Sequence, residues 1–137
     1  MDKNLALILD LSSWHSKVIK TIDRRVSLHG ISYSEFLVMY QLSLGTNKSM
    51  RRIDLAESVN MSASGVTRLL NPMEKLKIVE KEKNPRDARV SFVKLSDVGF
   101  ELFTDAMKTL SHTADDLLES LDADETEVLF NIMKKMK

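Results

Sequence analysis

The sequence contains no cysteine, which excludes both a disulfide framework and a thiol-based redox sensor. Its apolar N-terminal run is interrupted by Asp10 and has neither a basic start nor a small-residue cleavage site, so it does not read as a signal peptide. No apolar stretch is long enough to span a bilayer, and repeats and low-complexity tracts are absent. These absences favour a cytoplasmic protein that has no membrane partner.

The motifs of common catalytic sites are missing as well. There is no Gly-rich phosphate loop and no nucleophile motif, and His15, His29 and His112 lie far apart without metal-ligand spacing. We therefore predict that the protein is not an enzyme and holds no metal or cofactor. Packing of the first and fifth predicted helices could still bring His15 and His112 together, which the sequence leaves open.

The formal net charge is zero, which argues against indiscriminate binding of polyanions. The charges are unevenly distributed, however. Residues 47–94 hold eleven basic and six acidic side chains, whereas residues 95–137 hold four basic and ten acidic ones. A basic segment within a neutral chain is the electrostatic footprint of a phosphate-binding surface. The central segment is therefore predicted to bind double-stranded DNA, with the acidic C-terminal part facing away from it.

The central segment has the periodicity of two short helices. The first is predicted by the apolar residues Ile53, Leu55, Ala56 and Val59. It would end near Asn60, a residue type that tolerates the left-handed conformation found at helix ends. Ser62 is suited to cap the second helix, whose apolar stripe comprises Val66, Leu69, Leu70, Met73 and Leu76. Two such helices joined by about four residues match the helix-turn-helix plan.

The opposite stripe of the second helix is polar and mostly small. Side chains of this kind can approach base edges and phosphates, and an arginine can make a bidentate contact with guanine. We therefore predict a DNA-reading face that consists of Ser62, Ser64, Thr67, Arg68 and Asn71. Arg51 and Arg52 precede the first helix and either contact phosphates or lie in a solvated loop; the sequence does not separate these alternatives.

Downstream, the periodicity changes from that of a helix to that of a strand. Residues 79–83 and 90–95 predict a β-hairpin whose turn includes Asn84-Pro85. Its basic tip carries Lys83, Arg86 and Arg89 and is placed to reach phosphates or the adjacent minor groove. Asp87 is predicted to orient Arg89. Two helices followed by such a hairpin predict a winged helix-turn-helix.

In the order of these elements, the sequence resembles the MarR family of bacterial transcriptional regulators. The matching residues are the run LAESVNMSASGVTRLLNPMEKLKIVEK, the wing residues PRDAR with Asp87 and Arg89, and the following LSDVG. Three positions depart from the family pattern: Pro72 lies inside the second helix, Lys77 stands where a glycine usually ends it, and Ala88 stands where many members carry another wing arginine. The resemblance implies a transcriptional regulator, more often a repressor than an activator.

The resemblance also implies a small-molecule effector, bound between the dimerisation helices and the winged domain. The candidate pocket residues are Trp14, Lys17, Tyr33 and Tyr40. The neighbouring Phe36 and Met39 are better explained as core.

The flanking segments predict dimerisation helices. A helix over residues 3–25 is apolar on all sides at Leu5–Leu9, which suggests burial by a second chain. Ser96 is predicted to cap a helix of about 25 residues, and Asp122 a final helix. The long helix has a heptad pattern, the period of a coiled-coil seam, at Phe103, Met107, Leu110, Ala114, Leu117 and Leu121. We predict a homodimer, because winged domains that read palindromes need two-fold symmetry; an intramolecular helix pair is the alternative.

The predicted fold is mainly α with a small β-wing. It comprises an N-terminal dimerisation helix in residues 1–30, a winged helix-turn-helix in residues 31–95 and C-terminal dimerisation helices in residues 96–137. Pro72 is predicted to bend or break the second helix near Leu70–Asn71, because proline removes a backbone donor and clashes with the carbonyl four residues earlier.

A second function is compatible with the same fold. Winged helices also serve as protein–protein adaptors without a specific DNA site. An adaptor would be expected to expose an apolar patch on the recognition face, and the polar face and basic charge of the central segment argue against it.

Overall fold

In a computed structural model, which describes residues 1–87 and 89–137, the chain is mainly helical with a small antiparallel sheet, as predicted. The helices are α1 (Lys3–Val26), α2 (Tyr33–Leu44), α3 (Arg52–Ser58), α4 (Ala63–Lys75), α5 (Asp97–Leu117) and α6 (Ala123–Lys135). The strands are β1 (Ser49–Arg51), β2 (Val79–Lys83) and β3 (Ser91–Leu95). Ala88, one of the three departures from the MarR pattern, lies outside the described residues.

Helix α2 is the central element of the fold, as its apolar composition predicts. It begins with a capping box: Ser32 Oγ accepts from the Glu35 backbone N–H at 3.1 Å, and the Glu35 carboxylate accepts from the Ser32 N–H at 2.8 Å. Its buried side chains are Phe36, Val38, Met39 and Leu42. The helix packs against α1, α3, α4 and α5, and its position therefore links the flanking helices to the helix-turn-helix.

The apolar stripe of α4 packs into this core. Val66, Leu70 and Met73 are buried, as predicted, and Leu69 is partly buried against them. The prediction for Leu76 is wrong, since its side chain is exposed. Leu76 is the C-cap residue of α4, directly before the chain turns at Lys77, and it lies beyond the buried part of the stripe, which ends at Met73. The stripe fixes which face of α4 points away from the protein.

The sheet has the order β1-β3-β2, and both pairings are antiparallel. The predicted hairpin is present, with Val79 opposite Leu95 and Lys83 opposite Ser91. Strand β1 is not among the elements predicted from the sequence, and its first residue, Ser49, lies opposite Lys94. A strand of three residues is too short to show alternation in the sequence, and β1 exists only through its pairing with β3.

Of the two outcomes predicted at Pro72, the break is wrong and the bend stays a prediction. Helix α4 runs through Lys75 with Pro72 inside it. Proline removes only the backbone bond that its own nitrogen would have donated, and its carbonyl still accepts from the Leu76 N–H at 3.1 Å. The buried side chains of Leu70 and Met73 hold the helix against the core on both sides of the proline.

Lys77 occupies the position where the family pattern has glycine, and its backbone adopts a left-handed conformation with φ of 62°. The chain reverses there through hydrogen bonds from the Lys77 N–H to Glu74 O at 3.0 Å and from the Ile78 N–H to Met73 O at 2.9 Å. This is the Schellman arrangement, in which glycine is favoured because it has no Cβ.

Lys77→Gly is therefore expected to raise the free energy of unfolding by about 0.5–1 kcal/mol. Relief of the left-handed strain outweighs the extra freedom that glycine gives the unfolded chain. Urea denaturation at fixed protein concentration measures the change. Lys75→Gly, two residues earlier and in a right-handed helical position, is the control and should lower stability by about 1 kcal/mol. A loss of stability in both variants would contradict this interpretation.

Ser96 joins the end of the helix-turn-helix to the start of α5. Its hydroxyl accepts from the Gly99 N–H at 2.9 Å, which is the predicted cap, and lies 2.6 Å from the carbonyl oxygen of Lys77. Its backbone N–H donates to Ile78 O at 3.0 Å. Gly99 is buried against this junction. Ser96 thus connects the end of α4, the predicted recognition helix, to the N-terminal end of α5.

Helix α5 has 21 residues, fewer than the 25 or so predicted, because Asp122 begins a new capping box with Glu125. Leu121 consequently lies outside the helix. Phe103 is buried within its own chain, where its ring lies 5.4 Å from that of Phe36. The six heptad residues therefore do not form one exposed seam.

Helices α1 and α6 carry apolar side chains that the chain itself leaves exposed. Among the described residues, none in α6 is buried. The exposed apolar side chains of the two helices include Leu5, Leu7, Ile8, Leu9, Val128, Phe130, Ile132, Met133 and Met136. Within the described part of the chain, no helix is both long and apolar enough to cross a membrane.

Candidate nucleic-acid interface

The start of helix α4 is fixed by its cap. Ser62 Oγ accepts from the Gly65 backbone N–H at 3.1 Å and lies 3.2 Å from Ser64 Oγ. Upstream, Asn60 has a left-handed backbone with φ of 55°, which ends α3 and turns the chain into α4 as the sequence predicts. The cap orients the first turn of α4, and with it the two serines predicted to contact DNA.

The predicted DNA-reading residues share the exposed side of α4. Ser62, Ser64, Thr67, Arg68 and Asn71 are all exposed, opposite the buried stripe of the same helix. An exposed row of hydroxyl, guanidinium and amide groups on a helix has the donors and acceptors that base edges in a major groove require. The arrangement can therefore present polar groups to DNA without uncovering the core.

Thr67 is hydrogen-bonded on both sides of its hydroxyl. Thr67 Oγ1 donates to the Ala63 carbonyl at 3.0 Å and accepts from Arg52 Nη2 at 2.7 Å. Arg52 is the first residue of α3, so this contact joins the two helices of the helix-turn-helix on their exposed side. The two residues are fifteen positions apart, and no spacing rule in the sequence could have paired them.

The adjacent Arg51 has a charged partner instead of a neutral one. It occupies the N-cap position of α3 at the end of β1 without a side-chain capping bond. Its guanidinium makes a two-pronged ion pair with Asp54, with Nε–Oδ2 of 2.9 Å and Nη2–Oδ1 of 3.1 Å. The hydrogen bond from Arg51 and its positive charge lower the pKa of the Asp54 carboxyl. Neither arginine lies in a loop. Lys48, a third cation of this region, lies 3.8 Å from the centroid of the Phe100 ring.

The wing carries a second group of cations. Lys83 ends β2, and Asn84 Oδ1 accepts from the Arg86 backbone N–H at 2.8 Å in the turn. Asp87 accepts from Arg89 through Nε at 3.1 Å, Nη2 at 3.3 Å and the backbone N–H at 3.0 Å. Hydrogen bonds from the Arg89 side chain and backbone lower the pKa of the Asp87 carboxyl. These bonds connect the Arg89 guanidinium to the Asp87 carboxylate, while the Arg89 side chain remains 91% exposed.

An ion pair between Glu74 and Lys81, with Nζ–Oε2 of 3.4 Å, joins the recognition helix to β2 of the wing. Together with the tight turn through Lys77, it fixes the hairpin relative to α4. The residues predicted to read DNA and the wing cations therefore belong to one connected unit.

The outer face of the sheet forms an open groove of about 980 Å³. Its lining mixes the cations Lys48, Arg51, Lys83 and Lys94 with the carboxylates Asp54, Glu82 and Asp97. Because the charges nearly balance, the groove as a whole has little preference for an anion.

The four candidate effector residues are spread over two helices. Trp14 and Lys17 lie exposed on α1, and Tyr33 stacks against Phe36 with ring centroids 6.4 Å apart. Tyr40 lines an open, mostly apolar pocket of about 310 Å³ between α2 and α5. The other lining residues are Phe36, Leu37, Met107, Leu110 and Ser111. Tyr40 is the one member of the candidate set in that lining, and Phe36, predicted as plain core, lies there too.

One of the three histidines, His29, makes a side-chain contact with another element. His29 Nε2 lies 2.7 Å from Thr109 Oγ1, a contact between the end of the first helical segment and α5. Among the described residues, no group of three or more His, Asp or Glu side chains is arranged to hold a metal ion.

Comparison with known proteins identifies the family. Residues 17–106, about two thirds of the chain, match the family model described as transcriptional regulator SarA/Rot. The chain is 20% identical to the HTH-type transcriptional regulator MhqR of Bacillus subtilis over 98% of its own length and 92% of that protein. It is 22% identical to the transcriptional repressor MprA of Escherichia coli over 88% of its length and 69% of that protein.

Solved structures share the fold. A mutant of Escherichia coli MarR in complex with operator DNA superposes with a TM-score of 0.85 at 21% identity, covering 98% of this chain and 95% of that one. A MarR family regulator of Streptomyces coelicolor in complex with DNA gives a TM-score of 0.87 at 18% identity, covering 99% and 90%. With a family model that matches residues 17–106, the chain belongs to the SarA/Rot family of transcriptional regulators, and its fold is the one seen in the MarR structures.

Proposed function

We propose that the protein binds a pseudo-palindromic operator as a homodimer and reads it through α4. The observation that carries this proposal is the exposed polar side of α4, which is held outward because Val66, Leu70 and Met73 on its opposite side are buried. Arg68 is exposed there, and no ion pair engages it among the described residues. It can therefore offer the fork of donors that recognises a guanine.

The remaining predicted residues have complementary roles in this proposal. Ser64 and Asn71 meet base edges, and Ser62 lies near a phosphate at the capped start of the helix. Lys83, Arg86 and Arg89 reach the flanking backbone or minor groove from the wing. Asp87 holds Arg89 in position for that contact and is a positioning residue rather than a DNA ligand.

The homodimer is supported by the exposed apolar side chains of α1 and α6. This many exposed apolar side chains on two helices of a small chain indicate an interaction surface. They lie on the flanking helices, outside the helix-turn-helix, which leaves α4 free for DNA. Two copies related by a two-fold axis would place their recognition helices in successive major grooves, with half-site centres about 10 bp apart. We propose residues 1–30 and 96–137 as the dimerisation segments.

Repression and release by a small-molecule effector complete the proposal. One similar protein is named a transcriptional repressor, and repression needs no surface beyond those proposed here for DNA and for a second copy. The open pocket of about 310 Å³ between α2 and α5 is at the lower end of the size range of small-molecule sites. It adjoins α5, which Ser96 connects to the recognition helix, so an occupant could shift a pre-existing equilibrium between arrangements of the two winged domains.

Arg68→Ala is expected to weaken binding to the operator by about 1–3 kcal/mol and to relax sequence preference at the position that Arg68 reads. The loss arises because a bidentate contact to one base is removed. Fluorescence anisotropy with the operator, its single-base variants and a random duplex measures the effect.

Arg68→Lys is the matched control, since it keeps the charge but not the planar fork. It should lose most of the operator affinity while binding random duplex like the wild type. Equal losses on operator and random DNA in Arg68→Ala would contradict a base-reading role.

A further inference from the structure

Two adjacent arginines stand at the entrance of the helix-turn-helix, and their environments differ. Arg51 is neutralised by its two-pronged pair with Asp54. Arg52 takes part in none of the ion pairs among the described residues. Arg52 instead donates a hydrogen bond from Nη2 to the neutral hydroxyl of Thr67, at 2.7 Å. The Arg52 side chain is thus held in place by a neutral partner, and its positive charge is not paired with a carboxylate in any of these ion pairs.

The directions of these hydrogen bonds can be assigned from donor and acceptor chemistry. A guanidinium has donors and no acceptor, so Thr67 Oγ1 must accept from Arg52. The single hydroxyl proton of Thr67 is then left for the Ala63 carbonyl, 3.0 Å away. Thr67 therefore has no proton to give to DNA unless an internal bond breaks, although its second lone pair can still accept a hydrogen bond.

The location of Arg52 favours a phosphate as its partner. It is the first residue of α3, and the first helix of a helix-turn-helix crosses the DNA backbone while the second enters the major groove. Thr67 lies on the exposed side of that second helix, one residue before Arg68. Four of the five guanidinium donors of Arg52 remain after the bond to Thr67, enough for charge-assisted contacts to phosphate oxygens.

We propose that Arg52 is a phosphate-contacting residue and that Thr67 is the positioning residue that holds it beside the recognition helix. This inference rests on the proposed function, and it assigns to Thr67 a role other than the base contact predicted from the sequence. Because the contact is with a phosphate, it operates on any duplex and fixes the register of α4 in the groove without reading sequence.

A double-mutant cycle of Arg52→Ala and Thr67→Val tests this assignment. Dissociation constants are measured on the operator and on a random duplex over a series of salt concentrations. Arg52→Ala is expected to weaken binding about tenfold on both duplexes and to reduce the salt slope by about one. Thr67→Val keeps the charge and shape but removes the acceptor, and a several-fold loss is expected. In the Arg52→Ala background, Thr67→Val should have little further effect, because the residue that it positions is absent.

Two matched variants complete the design. Thr67→Ser keeps the hydroxyl and should retain the affinity that Thr67→Val loses. Arg51→Gln combined with Asp54→Asn removes the neighbouring neutral pair without a change in net charge and should alter affinity less than twofold. Circular dichroism and thermal unfolding confirm that each variant is folded.

The possible failures are distinguishable. Wild-type protein that binds operator and random duplex equally at every salt concentration would contradict the proposed sequence-specific function. Additive losses from Arg52→Ala and Thr67→Val, or an unchanged affinity in Arg52→Ala, would overturn the assignment of Arg52 and Thr67 while leaving sequence-specific binding intact. A loss in Thr67→Val that is confined to the operator would identify Thr67 as a base-reading residue instead.

Discussion

Gly99→Ala is expected to lower the free energy of unfolding by about 3 kcal/mol, at the upper end of the range for overpacked sites. A Cβ at this position would overlap the carbonyl oxygen of Ile78 and lie 2.9 Å from Leu95 Cδ1. The oxygen belongs to the backbone and also accepts from the Ser96 N–H, so it cannot move aside without loss of that bond. The first turn of α5 would have to shift away from the end of the recognition helix.

Equilibrium urea unfolding of Gly99→Ala at fixed protein concentration measures this loss. Gly30→Ala is the matched control: Gly30 has φ of 79° and open space around the added Cβ. Only backbone strain acts there, and a cost of about 1 kcal/mol is expected. If the two variants were equally stable, the close packing of α5 on Ile78 would not be the reason for a glycine at position 99.

Ile132→Asp is expected to weaken dimer association by about 3–5 kcal/mol, the cost of an uncompensated charge in an interface. Ile132 is 45% exposed in the single chain and lies on α6, which has no buried residue of its own among those described. A second chain is what would bury it. Loss of the dimer should also lower operator affinity by about 100-fold or more, because the two half-sites would no longer be bound by one linked molecule.

Sedimentation analysis and operator titration of the same samples measure both effects. Asn131→Asp is the control, since it adds the same charge to the same helix at an adjacent polar position. It should leave the dimer and the operator affinity close to those of the wild type. An Ile132→Asp protein that remains dimeric would exclude this part of α6 from the interface.

Local features of the fold were predictable because their signals are local. The caps at Ser62, Ser96 and Asp122 and the stop at Asn60 each depend on a side chain or backbone preference within a few residues. The buried stripe of α4 and the alternation of β3 follow from the periods of helix and strand. These signals are sufficient to recognise a winged helix-turn-helix and to place the exposed polar residues of α4 on one side.

What the sequence did not reveal depends on contacts between distant segments. Strand β1 forms because Ser49–Arg51 can pair with β3, more than forty positions away in sequence for Ser49 and Lys94. The heptad pattern of α5 did not show that Phe103 would turn towards Phe36 of its own chain.

Pro72 is a case in which packing prevails over propensity. Mid-helix proline costs about 3 kcal/mol in an isolated helix, and that cost predicted a break. In the protein, Leu70 and Met73 are fully buried on either side of it, and the helix continues. Burial of side chains of this size contributes about 1.5–3 kcal/mol each, which is enough to offset the proline.

The candidate site was predictable in composition but not in its connections. The sequence placed Thr67 and Arg68 on the reading face and left open whether Arg52 contacts phosphate. Arg52 donates a hydrogen bond to Thr67, whereas Arg51 is paired with Asp54. Arg52 and Thr67 meet only because α3 packs on α4.

Selection of fragmented genomic DNA on the purified protein, sequenced at two salt concentrations, tests the central claim most directly. Non-specific binding rests on phosphate contacts and fades steeply as salt rises, whereas base contacts persist and increase the relative enrichment of specific sites. We expect a shared two-fold-symmetric sequence whose half-sites lie about 10 bp apart, more strongly enriched at the higher salt concentration. Recovery of random fragments alone, declining as salt rises, would contradict sequence-specific recognition by α4.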